Sequence, residues 1–191
     1  MSEKILKFIS GNKGKVREMT QILSPVKFGW SNIDLDEIQE LDPYKIIRHK
    51  LSEAFKHEKG NFFIEDTSTY YQGLKNKLPG PFMKWFLVTL GAKGLYEFAK
   101  KLGNTKAEMK TIIAYAKDKK NVYFFEGATK GSIVKPIGLD GFGVDPIFKP
   151  QNSTKTLAQL KESGVTAFSP RYKATIKFKS FLLKESKYEK R

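Results

Sequence analysis

Two rhythms of apolar residues run along the chain. Val16, Met19, Ile22 and Leu23 recur at helical spacing, and so do Ile46, Ile47, Leu51, Ala54 and Phe55, which predicts an amphipathic helix over each stretch. Short unbroken runs alternate with them. Ile5 to Ile9, Phe62-Phe63-Ile64, Thr111 to Ala116 and Val122 to Phe125 read as strands, the last two separated by the lysine-rich turn Lys117 to Lys120. Phe125-Glu126-Gly127 and Gly131-Ser132-Ile133-Val134 suggest one further short strand. Between Asp66 and Leu78 the polar residues predict a loop. Pro81 suits the first position of a helix, since its missing N–H is not needed there. A helix entering at Phe82 turns Lys84 and Trp85 onto different faces and continues to Gly103, broken near Gly91 and Gly94. Asp42-Pro43, Thr156 and Ser169-Pro170 look like helix starts, the last opening a helix that buries Ala174, Phe178, Phe181 and Leu182.

Composition narrows the chemistry. The 191 residues carry 35 Lys+Arg against 20 Asp+Glu, a net charge of +15, while 40% are hydrophobic. That is too apolar for disorder and long enough for one substantial core, so a single domain over residues 1–191 is expected. The basic excess favours anionic partners. With no cysteine there is no thiol nucleophile, disulfide or cysteine zinc site, and His49 and His57 are too few for a histidine cluster. A metal here is held by oxygen, as magnesium and manganese are. The N-terminal apolar run is too short for a secretory signal, and no stretch is long enough to span a membrane, so the expected location is the cytoplasm.

Five places carry candidate chemistry. Ser10-Gly11-Asn12-Lys13-Gly14-Lys15 lies between a strand and a helix, where free N–H groups and the positive helix end suit a phosphate; Asn12 also suits a plain helix cap. It is neither a Walker loop nor a G-x-G-x-x-G loop. Asp34 to Asp42 is an acidic run in a basic chain, either solvated or a source of hard oxygen ligands. Glu65 and Asp66 close an apolar strand, and ionised carboxylates there need a metal or a cation such as Lys84. Lys50 stands four residues from both Ile46 and Ala54, on the apolar stripe itself, where a lysine snorkels outward or meets an anion. Phe142, flanked by glycines, suits stacking on a flat ligand or plugging a core.

In order along nearly the whole chain, these pieces resemble the inosine triphosphate pyrophosphatases, the Ham1-like non-standard purine nucleoside triphosphate pyrophosphatases. Ser10-Gly11-Asn12-x-x-Lys15-x-x-Glu18 resembles the family's phosphate motif, and Glu37-Ile38-Gln39 its metal-binding segment. Glu65-Asp66-Thr67 with Leu78-Pro79-Gly80-Pro81-x-x-Lys84-Trp85-Phe86 is similar to its central motif. Phe125-x-Gly127, Gly131-x-Ile133-Val134, Gly141-Phe142-Gly143-x-Asp145-Pro146-x-Phe148 and Thr156-x-Ala158 follow in the family's order.

The resemblance implies an α/β fold with a long central mixed β-sheet and two lobes around a nucleotide cleft, usually in a homodimer. It implies hydrolysis of ITP, dITP and XTP to the monophosphate and pyrophosphate with Mg2+, or Mn2+ in its place. Ser10, Asn12, Lys15, Lys50 and Lys84 would hold the triphosphate. Glu37 and Asp66 would bind the metal, with Asp66 or Glu65 orienting or deprotonating the attacking water and Lys15 beside them. Phe142 would stack on the base, and Asp145, Ser169 and Arg171 would contact it or order its pocket.

The chain departs from the family at the base pocket. Pro170 replaces the histidine of the usual Ser-His-Arg, Val165 to Phe168 carries no charge where a lysine is common, and Val144 stands where Trp is frequent. Losing polar contacts to the 6-oxo group predicts weaker or altered base preference with the phosphate chemistry intact. A relative acting on another triphosphate is one alternative. Another is a basic nucleic-acid-binding protein whose pyrophosphatase site is degenerate, with exposed-looking Tyr70, Tyr71 and Tyr172 beside the lysines; with the metal and triphosphate positions all in place, nucleic acid is not the expected partner.

Overall fold

The apolar runs assemble into a mixed seven-stranded sheet with helices packed on it. The computed structural model describes residues 5–137 and 143–188. In chain order the elements are β1 (Lys7–Ile9), α1 (Lys13–Leu23), β2 (Gly29–Ser31), α2 (Pro43–His57), β3 (Phe62–Tyr71), β4 (Pro79–Gly80), α3 (Met83–Lys101), β5 (Lys106–Ala116), β6 (Val122–Ile133), β7 (Phe148–Pro150), α4 (Leu157–Glu162) and α5 (Pro170–Tyr188). The strand order is β2-β1-β3-β5-β6-β7, with β4 paired to β3. β1 runs parallel to β2 and β3, whereas β4 on β3 and β7 on β6 are antiparallel. Two compact units result, one from the chain up to Asp66 with Ile112–Gly127 and the chain from Lys173, the other from Thr67–Thr111 and Ala128–Tyr172.

In the first unit both faces of the sheet are covered, which is why its strands read as unbroken apolar runs. Successive side chains of a strand point to opposite faces. Phe62 and Ile64 of β3, with Ile112, Ala114 and Ala116 of β5, pack against Ile47, Leu51 and Ala54 of α2. Phe63, Ile113 and Tyr115 point the other way, to Met19 and Leu23 of α1 and Ala174 and Phe178 of α5. Phe63 stacks on Phe8 at 4.5 Å between centroids and meets Phe178 at 5.0 Å.

The second unit buries Tyr71, Leu95, Ala99, Met109, Phe148, Leu157 and Leu160 together. Its closest strand contact requires glycine. A Cβ on Gly131 would lie 2.4 Å from the Lys149 carbonyl oxygen and 2.8 Å from the Phe148 ring, so β7 could not close on β6.

Several expectations are corrected. β3 does not end at Asp66; it continues through Thr67-Ser68-Thr69-Tyr70-Tyr71, whose β-branched and aromatic residues favour a pleated strand over the expected polar loop. β6 is one strand of 12 residues instead of two short pieces. Helix α3 starts at Met83 with Phe82 at its cap, so Pro81 precedes the helix, and its only non-helical residue is Gly91 (φ 65°, ψ 175°) while Gly94 stays helical. Lys84 and Trp85 are not separated: the ammonium lies 5.7 Å from the indole centroid. Tyr71 is buried in the core of the second unit, so it offers no stacking surface. The alternations Ala107/Met109 in β5 and Phe148/Pro150 in β7 were too short to register as strands on apolar pattern alone.

Candidate active site

Glu65 and Asp66 are consecutive in the middle of β3, so their side chains leave opposite faces of the strand. Each meets a lysine from the helix that covers that face. Glu65 follows Phe63 to the α1 side, where Lys15 Nζ lies 2.8 Å from its Oε2 and 3.3 Å from its backbone oxygen. Asp66 follows Ile64 to the α2 side, where Lys50 Nζ lies 3.4 Å from its Oδ1.

Local sequence explains why the lysines reach. Asn12 is the N-cap of α1: its side-chain oxygen accepts from the Lys15 N–H at 3.1 Å, and the Asn12 N–H donates to the Ser10 hydroxyl at 3.2 Å. The loop thus fixes the first turn of α1, and Lys15 extends from that turn to the strand. On α2, Asp42 caps the helix by accepting from the Tyr44 N–H at 2.8 Å, with Pro43 behind it, which sets the phase that puts Lys50 on the buried stripe. The choice left open for Lys50 resolves toward an anion: it is buried, not snorkelling.

Its partners come from two directions. The segment after β2 has no regular structure, but Leu35 anchors it in the α2 core while Asp36 and Glu37 turn back to α2. Asp36 Oδ2 meets His49 Nε2 at 3.0 Å, and Glu37 Oε1 accepts from Lys50 Nζ at 2.7 Å. Glu40 and Lys45 make a third pair at 3.0 Å. Burial alone would push the Lys50 ammonium down, but the charges of Asp66, Glu37 and Glu65 and the bond to Glu37 outweigh it and hold the group above the ordinary lysine range. Lys50 therefore stays charged.

One ammonium between Glu37 and Asp66 is the arrangement of two hard oxygen ligands aimed at one cation. Glu37 is about half exposed, at 51%, and Asp66 retains 13%, so the pair is open on one side. Among the described residues no group of three or more His, Asp or Glu could hold a metal. Two protein carboxylates fit Mg2+, which keeps several waters and takes its remaining ligands from phosphates. They would not make a closed structural site.

The second unit holds the other predicted residues. Lys84 lies exposed in the first turn of α3 beside Trp85. Ser169 and Arg171 are buried at the start of α5, with the Tyr172 N–H 3.4 Å from the Ser169 hydroxyl and the chain before them held by Thr129 Oγ1 donating to the Phe168 carbonyl at 2.7 Å. Asp145 is buried and accepts from Lys161 Nζ at 2.7 Å. Phe142 lies outside the described residues. Lys161 and His49 were not singled out by sequence reasoning. Lys161 sits in the last turn of a capped six-residue helix, where a lysine is unremarkable, and nothing in its spacing points to Asp145.

The model of the Ham1 family matches residues 6–181, and the chain belongs to that family. It is 34% identical over 181 residues to the inosine triphosphate pyrophosphatase of Schizosaccharomyces pombe, covering 93% of this chain and 95% of that one. To the inosine triphosphate pyrophosphatase of Yarrowia lipolytica it is 33% identical over 187 residues, covering 96% and 98%. Among solved structures, a HAM1 protein from Coxiella burnetii superposes with a TM-score of 0.71 at 20% identity, covering 94% of this chain and all, 100%, of that one. The Ham1 protein of Staphylococcus aureus gives 0.68 at 21%, covering 94% and 99%. These structures establish the α/β fold. No described helix is long and apolar enough to cross a membrane.

Proposed function

We propose that this Ham1-family protein is a nucleoside triphosphate pyrophosphatase that hydrolyses ITP, dITP and XTP to the monophosphate and pyrophosphate. The observation that carries the reading is Lys50 held between Glu37 and Asp66, beside a second lysine–carboxylate pair at Lys15 and Glu65. The relatives named inosine triphosphate pyrophosphatase support the substrate class.

Attack of water on phosphorus breaks the bond between the α and β phosphates, and charge grows on the non-bridging oxygens and on the departing pyrophosphate. Lys15 and Lys50 supply fixed positive charge for it, with Lys84 as a further candidate, and Ser10 and Asn12 fix the first turn of α1, whose helix end carries partial positive charge. Glu65 is enclosed, with its side chain 0% exposed, so its part is to hold Lys15 in place. Asp66, partly open and only loosely paired, is the carboxylate that orients the attacking water and takes its proton. Glu37 and Asp66 would hold Mg2+, or Mn2+, which when bound neutralises phosphate charge. These two lysines and three carboxylates are net negative, so a triphosphate is repelled until a divalent cation offsets Glu37 and Asp66. Asp145, Ser169, Arg171 and Phe142 are assigned to the base by resemblance. Action as a homodimer in the cytoplasm belongs to the same proposal.

The test is a panel of ITP, XTP, dITP, ATP, GTP, dUTP and TTP with Mg2+, assayed separately for pyrophosphate and orthophosphate. Pyrophosphate from ITP and XTP well above ATP supports the reading. Orthophosphate alone, or no product from any nucleotide, sinks it.

A further inference from the structure

Trp30 is 41% exposed on the edge strand β2, yet its indole is engaged: the Nε1–H donates to the Ser10 carbonyl oxygen at 2.7 Å. The next residue of β2 holds the other backbone group of Ser10, the Ser31 carbonyl oxygen accepting from the Ser10 N–H at 3.1 Å. β2 thus clamps the residue at which β1 passes into the loop before α1. The Ser31 bond only extends the β1–β2 ladder. The Trp30 bond is made at the surface, where water would satisfy the carbonyl as well, so it adds little stability and its effect is to fix a direction.

That direction sets the next peptide group. The Ser10–Gly11 peptide is trans, and in a trans peptide the C=O and the following N–H point opposite ways. With the Ser10 oxygen turned to Trp30, the Gly11 N–H points away from the β2 edge, to the side of β1 on which β3 carries Glu65 and Asp66. It has no hydrogen-bond partner among the described residues, whereas the N–H groups of Asn12 and Lys15 are taken by the side chains of Ser10 and Asn12. Nor do its surroundings call for glycine. Gly11 is not in the left-handed region, and a Cβ there would meet nothing nearer than Asp34, at an ordinary 3.5 Å. Close approach of a ligand to bare backbone is the remaining reason for it.

We propose that Trp30 is a positioning residue of the phosphate loop: by holding the Ser10 carbonyl it aims the free Gly11 N–H at a phosphoryl oxygen of the bound nucleotide. The inference rests on the nucleotide reading above and adds to it the residue that orients the loop. A backbone donor already aligned needs no reorganisation when negative charge arrives. Lys15 supplies charge from the first turn of α1; the Gly11 N–H supplies direction.

The experiment measures binding of tripolyphosphate with Mg2+, a phosphate chain that carries no base, by calorimetry at about 0.15 M salt, where scattered surface charge is screened. The proteins are the wild type, Trp30→Phe, which keeps an aromatic ring without the donor, and Trp30→His, which returns a ring N–H. Thermal unfolding of each and kcat and KM on ITP accompany it. Trp30→Phe should weaken tripolyphosphate by about 3- to 10-fold, the worth of a neutral hydrogen bond, and Trp30→His should recover part of the loss. On ITP the loss should fall more in KM than in kcat, with the Tm moved by no more than about a degree. A lowered Tm with tripolyphosphate affinity unchanged would make the bond a fastening only and overturn the proposal, and so would an equal loss in Trp30→Phe and Trp30→His. Wild type that hydrolyses no triphosphate but binds tripolyphosphate in a Trp30-dependent way defeats the proposed activity and leaves this inference standing; wild type that does not bind tripolyphosphate defeats the inference.

Discussion

Lys15 Nζ lies 2.8 Å from an oxygen of Glu65, a carboxylate with no exposure of its own, while the next residue along the strand, Asp66, faces Lys50 on the other side. Because the two carboxylates leave opposite faces, the site divides them: one serves to position a lysine and the other remains accessible. Removing one partner of a buried pair costs about 3–5 kcal/mol, because the other charge is left uncompensated. Lys15→Met should therefore lower stability by several kcal/mol, and Lys15→Met/Glu65→Gln should recover a large part of it. Urea unfolding of the wild type, both single variants and the double variant measures this, and additive losses would show that the pair does not couple.

Lys50 gives a pH signature. Its folded pKa is raised above the unfolded value, since Asp66 and Glu37 outweigh its burial, so its contribution is complete below the ordinary lysine pKa, about 10.5. It is lost as pH climbs from there through the folded value. Stability of the wild type should fall over that alkaline range more steeply than that of Lys50→Met. Parallel alkaline slopes for the two proteins would contradict the pairing.

Tyr71 tests the core of the second unit. Its hydroxyl is buried with no hydrogen-bond partner among the described residues, and burial pushes the phenol well above its usual range. Tyr71→Phe removes an unsatisfied polar group and keeps the ring, so it should be neutral or stabilise by about 1 kcal/mol. The difference should widen above pH ~10, where the unfolded phenol ionises and the folded one does not. A clear loss of Tm at neutral pH would mean that the hydroxyl has a bonded partner.

What the sequence disclosed follows from where its signals were local. The helix phase of α2 put Lys50 on an apolar stripe, an anomaly that left snorkelling or an anion open; its burial decides, and Glu37 and Asp66 are the anions. Asn12 was legible as a cap because capping needs only its neighbours. The course of β3 past Asp66 was misread because Thr-Ser-Thr-Tyr-Tyr was taken as polar by composition, although its β-branched and aromatic residues favour a strand, which pairs with β4 and β5. Lys161 was invisible for another reason. Its contact with Asp145 depends on how α4 packs, and no spacing in the chain encodes it.

Metal removal separates activity from stability. In a site where the carboxylates had only each other for company, stripping the metal would leave two bare charges and the fold would loosen. Here the Lys50 ammonium pairs with both Glu37 and Asp66, so chelation with EDTA should abolish hydrolysis while shifting the Tm by no more than a degree or two, about a few tenths of a kcal/mol by the usual size scaling. On the proposed mechanism Asp66→Asn should reduce kcat by about 100-fold or more, since it would remove both a metal ligand and the acceptor for the proton of the attacking water. Glu37→Gln, altering a half-exposed carboxylate proposed as a ligand, should act chiefly by raising the Mg2+ concentration needed for half-maximal rate. Lys50→Met reverses the stability argument: with the ammonium gone, Glu37 and Asp66 repel each other, and added Mg2+ should now raise the Tm by several degrees. A wild-type Tm that falls sharply on chelation, or a Lys50→Met protein indifferent to Mg2+, would show that the two carboxylates do not share one cation.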